Sequence, residues 1–164
     1  MDEAIMGEIA HRFAAARREG RLIAAPEARW PPADVATAER IRELATAAMG
    51  EPVAGWKIGA TSPEAQAIIG CDGPFYGPMF SSQMAGSGAA LAAPPGLLGV
   101  ECEFAFRIAE DQPPGRGGWD RHTVVGLVRS CHPALEIIAR RTEGSGFPGF
   151  LQAVADFALN AGFV

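Results

Sequence analysis

No apolar stretch of this chain approaches the ~18 residues that span a bilayer. Lys and Arg form no long run, and the net charge is −5. Both facts argue against nucleic acid as a partner, because such binding rests on neutralising phosphates. The three cysteines, Cys71, Cys102 and Cys131, are an odd count without CxxC spacing. That argues against a disulfide framework or a zinc site and leaves buried, reduced thiols, as in a cytoplasmic protein. The start, Met1-Asp2-Glu3, is acidic and has no basic stretch leading into an apolar core, so it does not read as a secretory signal. No internal repeat is visible. Gly115-Arg116-Gly117-Gly118 lacks the helix pattern that would follow a phosphate-binding loop.

What is present is ordinary globular material. Hydrophobic residues make up 48% and charged residues 20% of 164 positions, enough for one domain with a real core. Twenty glycines and 13 prolines predict many loops.

The apolar period predicts a helix over 3–19, with Ile5, Ile9, Phe13 and Ala16 on one face and Gly20 closing it. Pro26, Pro31 and Pro32 mark a loop around Trp30. A second helix fits 34–49, capped by Asp34, striped by Ile41, Leu44 and Ala48, and stopped by Gly50. Residues 53–59 read as a strand. Thr61-Ser62-Pro63-Glu64 then has a capping-box pattern ahead of a short helix ending at Gly70. Residues 71–98 are broken into short extended pieces. A strand through 99–108 follows, then a polar loop over 111–119, a short helix over 121–130, a strand over 131–140, a loop over 144–149 and a helix over 150–159. The last residues, Asn160 to Val164, look like the start of a further strand, which predicts an incomplete domain or a fragment of a longer polypeptide.

Within Val100-Glu101-Cys102-Glu103-Phe104-Ala105-Phe106-Arg107-Ile108, strand geometry puts the apolar side chains on one face and Glu101 with Glu103 on the other. Neighbouring like charges repel unless a cation sits between them. Glu136, in Ala134-Leu135-Glu136-Ile137-Ile138, is a lone acid in a second apolar strand and is costly there unless paired or ligated. Three such acids suit a hard, oxygen-seeking ion such as Mg²⁺ or Mn²⁺. The same spacing also suits the solvated face of an antiparallel sheet. Lys57, between Gly55 and Gly59, fits either a partly desolvated acid/base or anion-holding group, or a snorkelling lysine at a strand end. His11 reads as solvated and His122 as a helix-start residue. His132 stands at even spacing from Glu136 and reads as structural before it reads as a ligand. Arg140 or Arg141 can pair with an acid or a substrate carboxylate.

The segments Gly55-Trp56-Lys57-Ile58-Gly59-Ala60-Thr61-Ser62, Tyr76-Gly77, Glu101-Cys102-Glu103-Phe104-Ala105, Pro133-Ala134-Leu135-Glu136 and Ala155-Asp156 together resemble the 2-keto-4-pentenoate hydratase family of the fumarylacetoacetate hydrolase superfamily. The resemblance runs from about residue 50 onward. It implies an α+β fold with a mixed β-sheet or barrel. Residues 1–50 would form a helical arm, and 51–164 a catalytic β domain incomplete at its C-terminus. It implies Mg²⁺ or Mn²⁺ on Glu101, Glu103 and Glu136, and Lys57 assisting proton transfer or holding negative charge. A small 2-oxo acid would then be bound through its carboxylate and C2 oxygen. A glutamate after Pro-Ala-Leu resembles the hydratase and decarboxylase branch, and no Asn-Asp-Val-Ser-Ala-Arg-Asp-like segment of the hydrolase branch occurs. Asp72, Tyr76 and Arg141 are the substrate-binding candidates. Hydratases of the family commonly carry Pro-Asp where this chain has Pro74-Phe75, which removes a carboxylate and keeps decarboxylation open. The implied function is a metal-dependent hydratase of an unsaturated 2-oxo acid in catabolism, in a cytoplasmic homo-oligomer without membrane or nucleic-acid partners. The alternatives are a 4-oxalocrotonate decarboxylase-like enzyme and a non-catalytic relative that only binds or assembles.

Overall fold

A computed structural model of the chain describes residues 1–25, 30–112, 115 and 117–164. Pro26 of the first expected loop and Arg116 of the Gly-Arg-Gly-Gly loop lie outside the described residues. The chain opens with two helices, α1 (Glu3–Glu19) and α2 (Val35–Met49). Asp2 and Asp34 cap them by accepting from the backbone N–H of Ile5 and Thr37. Gly20 and Gly50 end them in the left-handed conformation that glycine adopts without penalty. The buried face of α2 is Ala38, Ile41, Arg42, Ala45 and Met49, so Leu44 and Ala48 lie at its margin instead of its centre.

Strand β1 (Val53–Gly59) pairs antiparallel with β2 (Phe75–Phe80), placing Lys57 opposite Gly77 and Ile58 opposite Tyr76. Between them lies α3 (Pro63–Ile69). Its cap is Ser62 bonding the Ala65 N–H, one residue beyond the start the capping-box pattern suggests. A second antiparallel sheet has the order β3 (Leu97–Ile108), β4 (Val128–Ala139), β5 (Asn160–Phe163). The helix expected over 121–130 shrinks to α4 (Arg121–Val125), because β4 begins three residues earlier than its apolar run suggests. The expected helix over 150–159 is α5 (Phe150–Ala155) followed by a turn at Phe157–Leu159. Beyond β2 the chain runs on to Met84, which forms a parallel bridge with Phe163 of β5.

One core holds the helices and the first sheet together. Phe13 of α1, Ile41 of α2, Phe80 of β2 and Phe157 are fully buried in it, each burial stabilising the fold by roughly 1.5–3 kcal/mol. The β3–β4 ribbon is different. Its apolar face, which periodicity assigns to a core, is open: Phe104 is 76% exposed, and Val100, Phe106, Ile108 and Leu135 are also exposed. Cys102 and Cys131 stand exposed on this ribbon and Cys71 is half-buried, all three free, so the expected burial of the thiols is overturned. A period-2 pattern states which residues share a face and not whether anything covers it. Among the described residues no helix is long and apolar enough to cross a membrane.

Candidate metal centre

The β3–β4 register sets Glu101 directly opposite Glu136 and Glu103 opposite Ala134, so all three acids share one face. One carboxylate oxygen from each of Glu101, Glu103 and Glu136 lies within 4.8 Å of the others. Glu101 is exposed, Glu103 half-buried and Glu136 1% exposed. This is a graded cluster, closed at one end and open to solvent at the other.

Lys57 enters from the first sheet. Its ammonium is 3.2 Å from Glu136 Oε1 and donates to the Ala158 carbonyl at 3.2 Å. Two glycines make this possible. A Cβ on Gly59 would press on the Lys57 stem at 3.2 Å. A Cβ on Gly77, the cross-strand partner of Lys57, would lie 2.3 Å from the Phe157 carbonyl oxygen. Glycine at 77 therefore lets the backbone of 157–158 close onto β2, which delivers the Ala158 carbonyl to Lys57. That backbone is unusual in its own right. Phe157, Ala158 and Leu159 have φ of 53°, 54° and 60°, three consecutive left-handed residues without glycine, each costing roughly 1–2 kcal/mol. Surrounding structure must hold such a turn in place.

Asp156 and Arg141 do so. The Arg141 guanidinium binds Asp156 Oδ1 and the Asp156 carbonyl, and the Arg141 backbone N–H donates to Asp156 Oδ2 at 2.8 Å. A further Arg141 nitrogen donates to the Asn160 carbonyl at 2.8 Å. Both side chains are buried. Arg141 is thus committed to clamping the left-handed turn, and the structure does not bring it to the carboxylate cluster as a free anchor for substrate.

Asn160 lies just beyond the turn, and its Nδ2 donates to Glu136 Oε1 at 3.0 Å. Burial pushes the Glu136 carboxyl above its ordinary range, and the Lys57 charge and the Asn160 amide pull it back only in part. One ammonium against three carboxylates leaves the cluster short of positive charge. Its donors are all hard oxygens, so it fits a divalent cation of the Mg²⁺ type.

The remaining candidates lie elsewhere. Tyr76 shares the Ile58 face of the first sheet, opposite to Lys57, and its ring sits under the Arg42 guanidinium at 3.9 Å. Asp72 is exposed in the loop after α3. His132 stands opposite Ala105, toward the far end of the acidic face, hydrogen-bonded to Ser130. Phe75, where the family resemblance expects an acid, is buried with its ring 5.9 Å from the Lys57 ammonium and packed edge-on against Phe150. Asn160 and Arg17 are the participants that sequence reasoning missed. Arg17 carried a signal: it continues the Ile9, Phe13 spacing, placing a cation on the buried stripe of α1.

No protein-family profile matches the chain. It is 35% identical over 159 residues to 2-keto-4-pentenoate hydratase 1 of Dechloromonas aromatica (strain RCB), covering 92% of this chain and 57% of that one. It is 30% identical over 174 residues to 2-keto-4-pentenoate hydratase of Burkholderia vietnamiensis (strain G4 / LMG 22486), covering 99% and 63%. The chain therefore spans about three-fifths of the length of the curated relatives it matches. Its fold matches 4-oxalocrotonate decarboxylase from Pseudomonas putida G7, solved with magnesium and adipate, at TM-score 0.77 and 20% identity over 99% of this chain and 62% of that one. A second structure of that decarboxylase, with calcium and acetate, matches at TM-score 0.80.

Proposed function

We propose that this chain, a relative of the 2-keto-4-pentenoate hydratases, holds one divalent cation on Glu101, Glu103 and Glu136 and serves a lyase reaction of a small unsaturated 2-oxo acid. The observation that carries this reading is the convergence of the three carboxylates within 4.8 Å with Lys57 held on Glu136. A bound Mg²⁺ or Mn²⁺ supplies positive charge that stabilises an oxyanion developing on the substrate. The chain's own residues do the rest. Glu136, shielded from water, fixes the closed end of the site. Glu101 and Glu103 face the open end, from which a carboxylate substrate enters. The Lys57 Nζ, desolvated and 8% exposed as a residue, is placed to move a proton or to hold negative charge beside the acids.

Hydration is the leading reaction because the sequence relatives are hydratases. Decarboxylation is the second reading, supported by Phe75: the position beside Lys57 carries a ring where an acid would assist water addition. Sheet edges and the apolar β3–β4 face fit a homo-oligomer, which is proposed with the activity.

The test combines Mg²⁺ or Mn²⁺ with a panel of 2-hydroxy-dienoates and follows absorbance and CO₂. Water addition without CO₂ supports the hydratase reading, and CO₂ release supports the decarboxylase. A wild-type protein that neither turns over substrate nor gains thermal stability from Mg²⁺, like Glu103→Gln, would leave a non-catalytic relative and overturn the proposal.

A further inference from the structure

Lys57 Nζ, by an ion pair, and Asn160 Nδ2, by a hydrogen bond, both meet Glu136 on the same oxygen, Oε1. Engaging one oxygen twice fixes the angle of the carboxylate about its own axis and leaves the other oxygen clear of both partners. The Asn160 amide has two chemically opposite ends, and only its Nδ2 end can donate. Which end meets Glu136 is decided by Arg17 of α1. An Arg17 nitrogen donates to Asn160 Oδ1 at 3.1 Å, and guanidinium has no acceptor. The amide oxygen must therefore face Arg17, and the amide nitrogen must face Glu136.

Arg17 is itself held on every side. It donates to the Asn160 carbonyl at 2.5 Å and to Gln83 Oε1 at 2.9 Å through Nε. Its guanidinium lies over the Phe80 ring at 5.0 Å and the Phe157 ring at 4.7 Å. The β4–β5 ladder carries an irregularity between Ile137 and Ile138, so that Asn160, not Ala161, opposes Ile138 on the Glu136 face. Without that extra residue Asn160 would point to the other face of the sheet.

We propose that Asn160 is a positioning residue for the cation site: oriented by Arg17 of the N-terminal helix, it pins Glu136 Oε1 and so presents Glu136 Oε2 to the metal. The inference rests on the divalent-cation reading above. It makes the first helix, 119 positions from Glu136 in sequence, a functional part of the site. Partners of metal ligands at one remove typically govern about ten- to hundredfold of metal affinity.

The experiment measures Mn²⁺ binding by calorimetry on the full chain, alongside thermal unfolding of the same proteins in chelator. Asn160→Leu, close in volume and unable to donate, is expected to weaken Mn²⁺ binding at least tenfold. Arg17→Met, which keeps the packing between Phe80 and Phe157 and frees the amide to turn, is expected to weaken it as well. The double variant should bind no worse than Asn160→Leu alone, because both changes act through one hydrogen bond. Arg17→Met carries the test alone if Asn160→Leu does not fold. Variants that lower only the unfolding temperature in chelator, while binding Mn²⁺ within twofold of wild type, would assign Asn160 and Arg17 a purely structural role and overturn the inference with the metal reading intact. A wild-type protein that binds no Mn²⁺ would overturn both.

Discussion

Glu101 and Glu136 are direct cross-strand partners, yet one is open to solvent and the other is 1% exposed. Like charges placed opposite each other on a sheet destabilise it. Lys57 and Asn160 answer the buried charge from the far side. The exposed one has no such answer within the cluster, and this asymmetry predicts two effects of opposite sign at a single position. Glu101→Gln should leave the metal-free protein as stable as wild type or slightly more so, and should shrink the stabilisation gained on adding Mg²⁺. Thermal unfolding in chelator and in Mg²⁺ reads both, and a variant that falls in chelator and keeps its full Mg²⁺ gain would contradict the assignment.

Gly77 predicts a steric effect. An alanine there would drive its Cβ to 2.3 Å from the Phe157 carbonyl oxygen and 2.6 Å from the Ala158 Cβ. Backbone must move, at a cost of about 1–3 kcal/mol. Gly73→Ala, where a Cβ meets nothing within 4 Å, is the matched control and should change little. Urea unfolding of the pair measures the difference. Equal midpoints would mean that the left-handed turn can retreat from β2 without penalty.

The Arg141–Asp156 pair predicts a non-additive result. Asp156→Leu strands a buried guanidinium and should destabilise the fold by about 3–5 kcal/mol. Adding Arg141→Met removes the stranded charge and should recover much of that loss, since buried ion pairs can often be exchanged for apolar contacts of similar volume. Chemical denaturation of the two single variants and the double variant completes the cycle. Simple additivity would show that the two side chains stabilise the turn independently.

The Asp34 cap predicts a pH dependence. The Thr37 backbone N–H, and then the Thr37 side chain, hold the Asp34 carboxyl below its ordinary value near 3.9. A carboxyl depressed in the folded state contributes stability that is present above its unfolded pKa and lost as pH falls through the folded one. Asp34→Ala should therefore melt below wild type at pH 7, and the gap should close as the pH drops below about 3.9. A gap that persists unchanged at pH 2.5 would assign the loss to helix propensity and not to the charged cap.

Local rules located most elements, because their signals are local. Glu3–Glu19, Val35–Met49 and Val53–Gly59 end where the capping residues and glycines say they should. Local rules fail where a long-range partner decides the outcome. β4 extends back to Val128 because β3 is there to pair with it, against a helical reading of 121–130. The 150–159 segment breaks at Asp156 because Arg141 and the close approach to Gly77 favour a left-handed turn over continuation of the helix.

The sequence by itself determined the acidic pattern, the lysine between its glycines and the identity of the strands that bear them, since side-chain alternation follows from backbone geometry alone. Tertiary structure decided that Glu136 is buried while Glu101 is not, that Lys57 reaches Glu136, and that Arg141 clamps a turn. It also decided that Asn160 and Arg17 stand behind the site, and that the apolar face of β3 looks outward. Burial and charge pairing depend on which distant segments arrive at a given face, and no spacing along the chain encodes that.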